Sequence, residues 1–138
     1  MKKLLLLTYL SLSITTFSAF ADQPIKDLID VAVPVNVDGT QFTLEEVQRA
    51  ILTGCKARGW TPVLNGQNAI KASILVRSKH FAEISIPFSS NSYSIKYIRS
   101  EGLDYDPDEL TIHRNYNKWV VMLSGSIQRQ FGVRSQGY

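Results

Sequence analysis

Ile70-Lys71-Ala72-Ser73-Ile74-Leu75-Val76-Arg77-Ser78-Lys79-His80-Phe81-Ala82-Glu83-Ile84-Ser85-Ile86-Pro87-Phe88 reads as two strands and the turn between them. Ile70, Ala72, Ile74 and Val76 share one side of the first strand, and Lys71, Ser73, Leu75 and Arg77 share the other. After a turn at Ser78-Lys79-His80, Ala82, Ile84, Ile86 and Phe88 alternate in the same way with Phe81, Glu83, Ser85 and Pro87. A period of two places one set of side chains in a core and leaves the other in water. The polar turn Ser89-Ser90-Asn91-Ser92 leads to a third strand, with Tyr93, Ile95 and Tyr97 on one face and Ser94, Lys96 and Ile98 on the other. Upstream, Trp60 to Leu64 makes a short strand, and Asn65-Gly66 is a two-residue hairpin signal. Successive strands on short turns predict an antiparallel meander.

Helical patterns flank the meander. Thr43-Leu44-Glu45-Glu46 fits a capping box, in which the Thr43 hydroxyl and the Glu46 carboxylate each satisfy a free backbone N–H. Leu44, Val47, Ile51, Gly54 and Cys55 then recur at spacings of three and four, and Gly59 stops the helix after Lys56 and Arg58. Gly54 on this stripe implies close approach of the helix to the sheet. Tyr116, Trp119, Val120, Leu123, Ile127 and Phe131 define a second stripe, which should bury Trp119. Before the first helix, Val31, Val33, Val35 and Val37 alternate along an expected strand from Ile29 to Val37, and Pro34 marks it as an edge. Asp22 to Leu28 reads as a loosely ordered polar leader, and the tail after Gly132 as frayed. The expected fold is α+β, a two-layer sandwich of order β-α-β-β-β-β-α. Both helices lie on one face of an antiparallel sheet of about four to five strands.

Residues 1–21 read as a secretory signal peptide. Lys2 and Lys3 precede the mostly apolar Leu4 to Leu12, and Ala19-Phe20-Ala21 offers a cleavage site before Asp22. Six serines and threonines from Thr8 to Ser18 dilute this stretch too far for a membrane span. Residues 22–138 then form one domain with an ordered core of about 29–131. The expected location is the periplasm or beyond, without a lipid anchor, because no cysteine follows the cleavage site. Removing the two lysines leaves 13 basic residues against 12 acidic ones, a net charge of +1. That balance argues against a nucleic-acid binder, which needs a basic excess to neutralise phosphates. Cys55 is the single cysteine, so no intramolecular disulfide forms, and its place on the helical stripe predicts a buried, inert thiol.

Two surfaces carry candidate site residues. His113, Arg114 and Asn117 stand at the start of the second helix, where free N–H groups favour a carboxylate or phosphate. The competing structural roles are a cap at Asn115 and a histidine that orients the acidic loop Ser100 to Thr111. Lys71, Arg77 and Lys96 share the open sheet face with Ser73, Glu83, Ser85 and Ser94, and with the apolar Leu75, Phe81 and Ile98. Such a face suits a partner such as another envelope protein or a cell-wall component. Asp104, Asp106 and Asp108 alternate like the start of a calcium loop, but Glu109 and Asn115 occupy the positions of its glycine and its bidentate glutamate. No metal-ligand spacing, nucleotide loop or nucleophile motif is present, and no cofactor is implied. The favoured function is a non-catalytic envelope binding or scaffolding module. The alternative is a small acid/base hydrolase that pairs His113 with a carboxylate of residues 104–109.

Gly59-Trp60, Ser94-Ile95-Lys96-Tyr97, Ser100 with Leu103, and the run Ile112-His113-Arg114-Asn115-Tyr116-Asn117-Lys118-Trp119 resemble a group of small exported bacterial proteins of unknown function. The likeness spans roughly Val31 to Phe131. Many of those proteins look like lipoproteins, and this chain departs from them in lacking the lipid-attachment cysteine. The resemblance implies a periplasmic envelope protein and no particular chemistry. In element order alone the chain is also similar to helix-grip domains of outer-membrane assembly lipoproteins.

Overall fold

Each residue from Ala69 to Val76 pairs with one from His80 to Pro87, as the alternation demands. A computed structural model describes residues 22–132; the expected signal segment and the C-terminal tail lie outside the described residues. The elements are β1 (Gln23–Pro24), β2 (Leu28–Ala32), α1 (Leu44–Ala57), β3 (Thr61–Leu64), β4 (Ala69–Val76), β5 (His80–Pro87), β6 (Ser92–Glu101), β7 (Thr111–Ile112) and α2 (Asn115–Gln130). Five strands form one antiparallel sheet in the order β2-β6-β5-β4-β3, and β1 pairs with β7 in a two-stranded ribbon. The pairs Ile70↔Ile86 and Ala72↔Ile84 set the register that turns the apolar side of the meander to one face. Val47 and Ile51 of α1 and Val120, Leu123 and Ile127 of α2 pack into one core with those strands. The architecture is therefore an α+β sandwich with both helices on one side.

Helix α1 forms as its caps dictate. The Thr43 hydroxyl accepts the Glu46 N–H at 3.1 Å, and the Thr43 N–H donates to the Glu46 carboxylate at 2.8 Å. At the other end Gly59 adopts a φ of 79°, and the Trp60 N–H returns to the Cys55 carbonyl at 3.0 Å. This is the left-handed C-terminal cap that glycine enters without a Cβ clash. Leu44 opens the helix but stays exposed, so the stripe runs from Val47 to Cys55.

Several expectations are corrected by long-range contacts. The strand expected over Ile29–Val37 ends at Ala32, because Asp30 takes a φ of 50° and the pairing with β6 shifts between Leu28 and Val31. Val33 remains buried, whereas Val35 and Val37 lie exposed beyond the strand end. The polar leader is ordered, since Gln23 pairs with Ile112 and Pro24 with Thr111. Asn65-Gly66 sits in a loop from Asn65 to Asn68, closed by the Asn65 N–H on the Ala69 carbonyl at 2.9 Å. Trp119 is half-buried at the margin of its stripe, whose centre is Tyr116, Val120, Leu123 and Ile127.

Gly54 approaches the other helix and not the sheet. A Cβ on Gly54 would stand 2.7 Å from Ile127 Cγ1 and 2.9 Å from Ile127 Cα, so only glycine lets α1 and α2 meet at this distance. Gly125 in α2 is the internal control, because its added Cβ would meet nothing nearer than the Arg129 guanidinium at 4.0 Å. We expect Gly54→Ala to destabilise the domain by about 1–3 kcal/mol through overpacking. Gly125→Ala should instead stabilise it by up to about 1 kcal/mol through helix propensity. Urea melts of the two variants check this; stabilisation by both would mean that the helices are not in contact at Gly54.

Candidate functional site

The run Ile112 to Trp119 turns from β7 into α2, and the structure divides its polar residues between support and surface. Asn117 is buried within the first turn of α2. Its Oδ1 accepts the Lys26 N–H at 3.0 Å, and its Nδ2 donates to the Pro24 carbonyl at 2.9 Å and to Gln23 Oε1 at 3.4 Å. One carboxamide thus satisfies three polar atoms of a segment more than 90 residues away in sequence. A buried peptide group left unpaired would cost free energy that this arrangement avoids. Two further bonds continue the tether. Asp27 Oδ1 accepts the Tyr97 N–H at 2.9 Å, and Ser94 Oγ accepts the Asp30 N–H at 3.0 Å.

His113 takes the capping role expected of Asn115. Its Nδ1 accepts the Asn115 N–H at 3.2 Å, while Arg114, the residue at the N-cap position, makes no side-chain cap. That bond fixes the tautomer, since an accepting Nδ1 carries no proton. The acidic loop is also committed to turn structure. Asp106 Oδ1 accepts the N–H groups of Asp108 and Glu109 at 2.9 and 3.2 Å. No carboxylate lies within 4.0 Å of the His113 ring among the described residues. Nor do three His, Cys, Asp or Glu side chains there converge as a metal site would require.

The tether builds a concave surface. Gln23 and Lys26 from the N-terminal segment face Arg114, Asn115, Asn117, Lys118, Val121 and Met122 from α2 across a cleft of about 540 Å³. Among the described residues three cations line it and no carboxylate does. Lys26 and Lys118 make no ion pair among the described residues. The cleft therefore presents ammonium groups from two separate elements to one volume, an arrangement that attracts an anion. Of the residues singled out in the sequence, Arg114 and Asn117 line it and His113 does not.

Lys71 and Lys96 lie on the opposite face of the sheet. The pairs Val63↔Lys71, Lys71↔Ser85 and Ser85↔Lys96 place both lysines in one row across four strands. In the neighbouring rows the Arg99 guanidinium stands 4.5 Å from the Phe81 ring centroid and pairs with Glu83 at 3.3 Å and Glu101 at 3.4 Å. Arg77 is not in these rows. Its φ of 54°, followed by 55° at Ser78, puts it in the hairpin turn beyond the last pair, Val76↔His80. Ser94 is buried beneath the irregular pairing of β2 with β6 and is absent from the open face.

Sequence patterning missed Gln23, Lys26 and Lys118. Lys118 had a local signal, since it follows Arg114 by four residues and shares its helix face. Lys26 had none, because only contacts with residues more than 80 positions away, the Asn117 bond and the pairing of β1 with β7, bring it to the cleft. No protein-family model, curated protein or solved structure matches the chain. Among the described residues no helix is long and apolar enough to cross a membrane.

Cys55 is fully buried in the core, and burial pushes its thiol up to about 12 from an ordinary 9.0. The unfolded thiol releases its proton from about pH 9, while the folded thiol retains it to about 12. Stability should therefore be complete below pH 9 and fall as pH rises through that window, by up to about 1.4 kcal/mol per pH unit for one proton. Burial raises the hydroxyls of Tyr93, Tyr97 and Tyr116 as well, which adds to the alkaline loss. We expect urea midpoints to drop above pH 9 and Cys55→Ala to flatten the first part of that drop. An unchanged slope in the variant, or maleimide labelling of the native thiol, would contradict a buried neutral Cys55.

Proposed function

We propose that this protein is a non-catalytic binding module of the bacterial cell envelope, and that it takes an anionic group in the cleft between residues 23–26 and α2. One observation carries the reading: Lys26, Arg114 and Lys118 face a common volume that no carboxylate lines among the described residues. Arg114 holds the N-cap position of a helix that packs into the core, Lys118 stands on that helix, and the Lys26 backbone is held by its N–H bond to Asn117. Side chains that start from these positions reach one volume, where a carboxylate or phosphate can meet more than one of them.

Binding is favoured over acid/base catalysis because the His113 Nδ1 is engaged by the Asn115 N–H and has no carboxylate beside it among the described residues. Export is part of the proposal. It rests on the pattern of residues 1–21 and on the resemblance of the run Ile112–Trp119 to small exported proteins. The ligand would then be a component of the envelope, presented as a free acid, a phosphate or an anionic portion of a larger molecule.

Titration of ¹⁵N-labelled residues 22–138 with inorganic phosphate at low ionic strength tests the site. We expect saturable shifts at the amides of Lys26, Asn117 and Lys118. A Lys26→Gln, Lys118→Gln double variant should weaken binding by about tenfold, the value of one charge-assisted hydrogen bond. Shifts confined to the Lys71–Ser85–Lys96 row would move the site to the open sheet face, and no saturable shift would refute an anion site.

A further inference from the structure

Below Lys118 the wall of the cleft changes character. Val121 is 61% exposed and Met122 38% exposed on the outer side of α2, where a helix turned to water ordinarily carries polar residues. They follow Lys118 by three and four positions, so Arg114, Lys118, Val121 and Met122 form one ridge along the helix. Both apolar side chains line the same cleft as the cations. Met122 also borders a smaller slot of about 40 Å³, which is walled by Arg58, Trp60, Ile74 and Trp119. In that region the Arg58 Nε is buried without a hydrogen-bond partner. The surface thus runs from a cationic end, over a valine and a flexible thioether, to an opening between two tryptophans.

From this arrangement we infer that the ligand is a single amphiphilic anion, a carboxylate or phosphate joined to an acyl or alkyl chain. The inference rests on the anion reading of the cleft and adds the apolar part of the molecule. The anionic head sits between Lys26 and Lys118. The chain lies along Val121 and Met122 and covers apolar surface that otherwise faces water. One molecule, and not a bilayer, is the occupant. A cleft of about 540 Å³ has the size of a small-molecule site. Two exposed apolar side chains are too few to enter a membrane, where interfacial helices present a continuous apolar face. Methionine suits this position because its unbranched, polarisable side chain repacks around chains of different length.

Calorimetric titration of residues 22–138 with three probes below their micelle concentrations separates the two parts of the claim. The probes are octyl phosphate, inorganic phosphate and the neutral octyl glucoside. Octyl phosphate should bind at least roughly tenfold more tightly than inorganic phosphate, because several methylenes leave water. Octyl glucoside should bind more weakly than octyl phosphate. Val121→Ser, at an exposed position that leaves the core intact, should remove most of the alkyl advantage while phosphate affinity stays unchanged. Lys118→Gln should weaken both phosphates together. Equal affinity for octyl phosphate and inorganic phosphate would overturn the amphiphile and leave the anion site standing. Failure of both to bind would remove the anion site as well. Octyl glucoside binding as tightly as octyl phosphate, or capture by phosphatidylglycerol vesicles without binding of the monomeric probe, would also overturn the inference.

Discussion

The carboxamide of Asn117 decides where residues 23–26 lie. It is a neutral group with one strong acceptor and two donors, and its oxygen and nitrogen meet the Lys26 N–H, the Pro24 carbonyl and Gln23. Buried at the head of α2, it holds the N-terminal segment against that helix while β1 pairs with β7. The segment then runs on through Asp27 and Asp30 to bond β6, where β2 closes one edge of the sheet. One polar contact thus links the small ribbon, the main sheet and the helix layer. It also raises the second wall of the cleft.

Packing supplies the rest of the rigidity. The close crossing at Gly54 and Ile127 brings the two helices together, and Tyr93 joins the sheet to α2 through Ser124 and Gln128 at 2.7 and 3.0 Å. Gln128 reaches on to the Ala32 carbonyl at 3.2 Å and secures the end of β2. The backbone positions that carry the cations are thus held on one frame. A cleft of this kind favours a ligand that matches both its charge and its apolar floor.

The fold was legible where local chemistry and tertiary demand agree. The alternation of Ile70 to Val76 and of Ala82 to Phe88, the capping box at Thr43 and the stop at Gly59 each act within a few residues, and each appears in the structure as the sequence implied. The departures come from contacts between distant parts of the chain. Nothing near Asp30 announces its positive φ, which follows from the shifted pairing of β2 with β6. Gly54 signalled close approach, but not whether sheet or helix would approach it. The site was half visible for the same reason. Arg114 and Asn117 stood out in a dense polar run, yet the role of Asn117 became clear only with Gln23 to Lys26 beside it. Lys71 and Lys96 share a face as alternation requires, whereas Arg77 leaves it in a turn that alternation does not foresee.

The dependence of the cleft on one side chain is measurable directly. Hydrogen exchange followed by ¹⁵N NMR on residues 22–138 reports the Lys26 and Ile25 amides separately from those of the central strand β5. In the native protein both amides should be protected, Lys26 by Asn117 and Ile25 by the Leu110 carbonyl at 3.0 Å. In Asn117→Ala the account predicts that protection at Lys26 is lost and that at Ile25 falls, while β5 exchanges only by global unfolding. Unchanged protection at Lys26 in a folded Asn117→Ala would show that the N-terminal wall stands without Asn117, and would contradict the account.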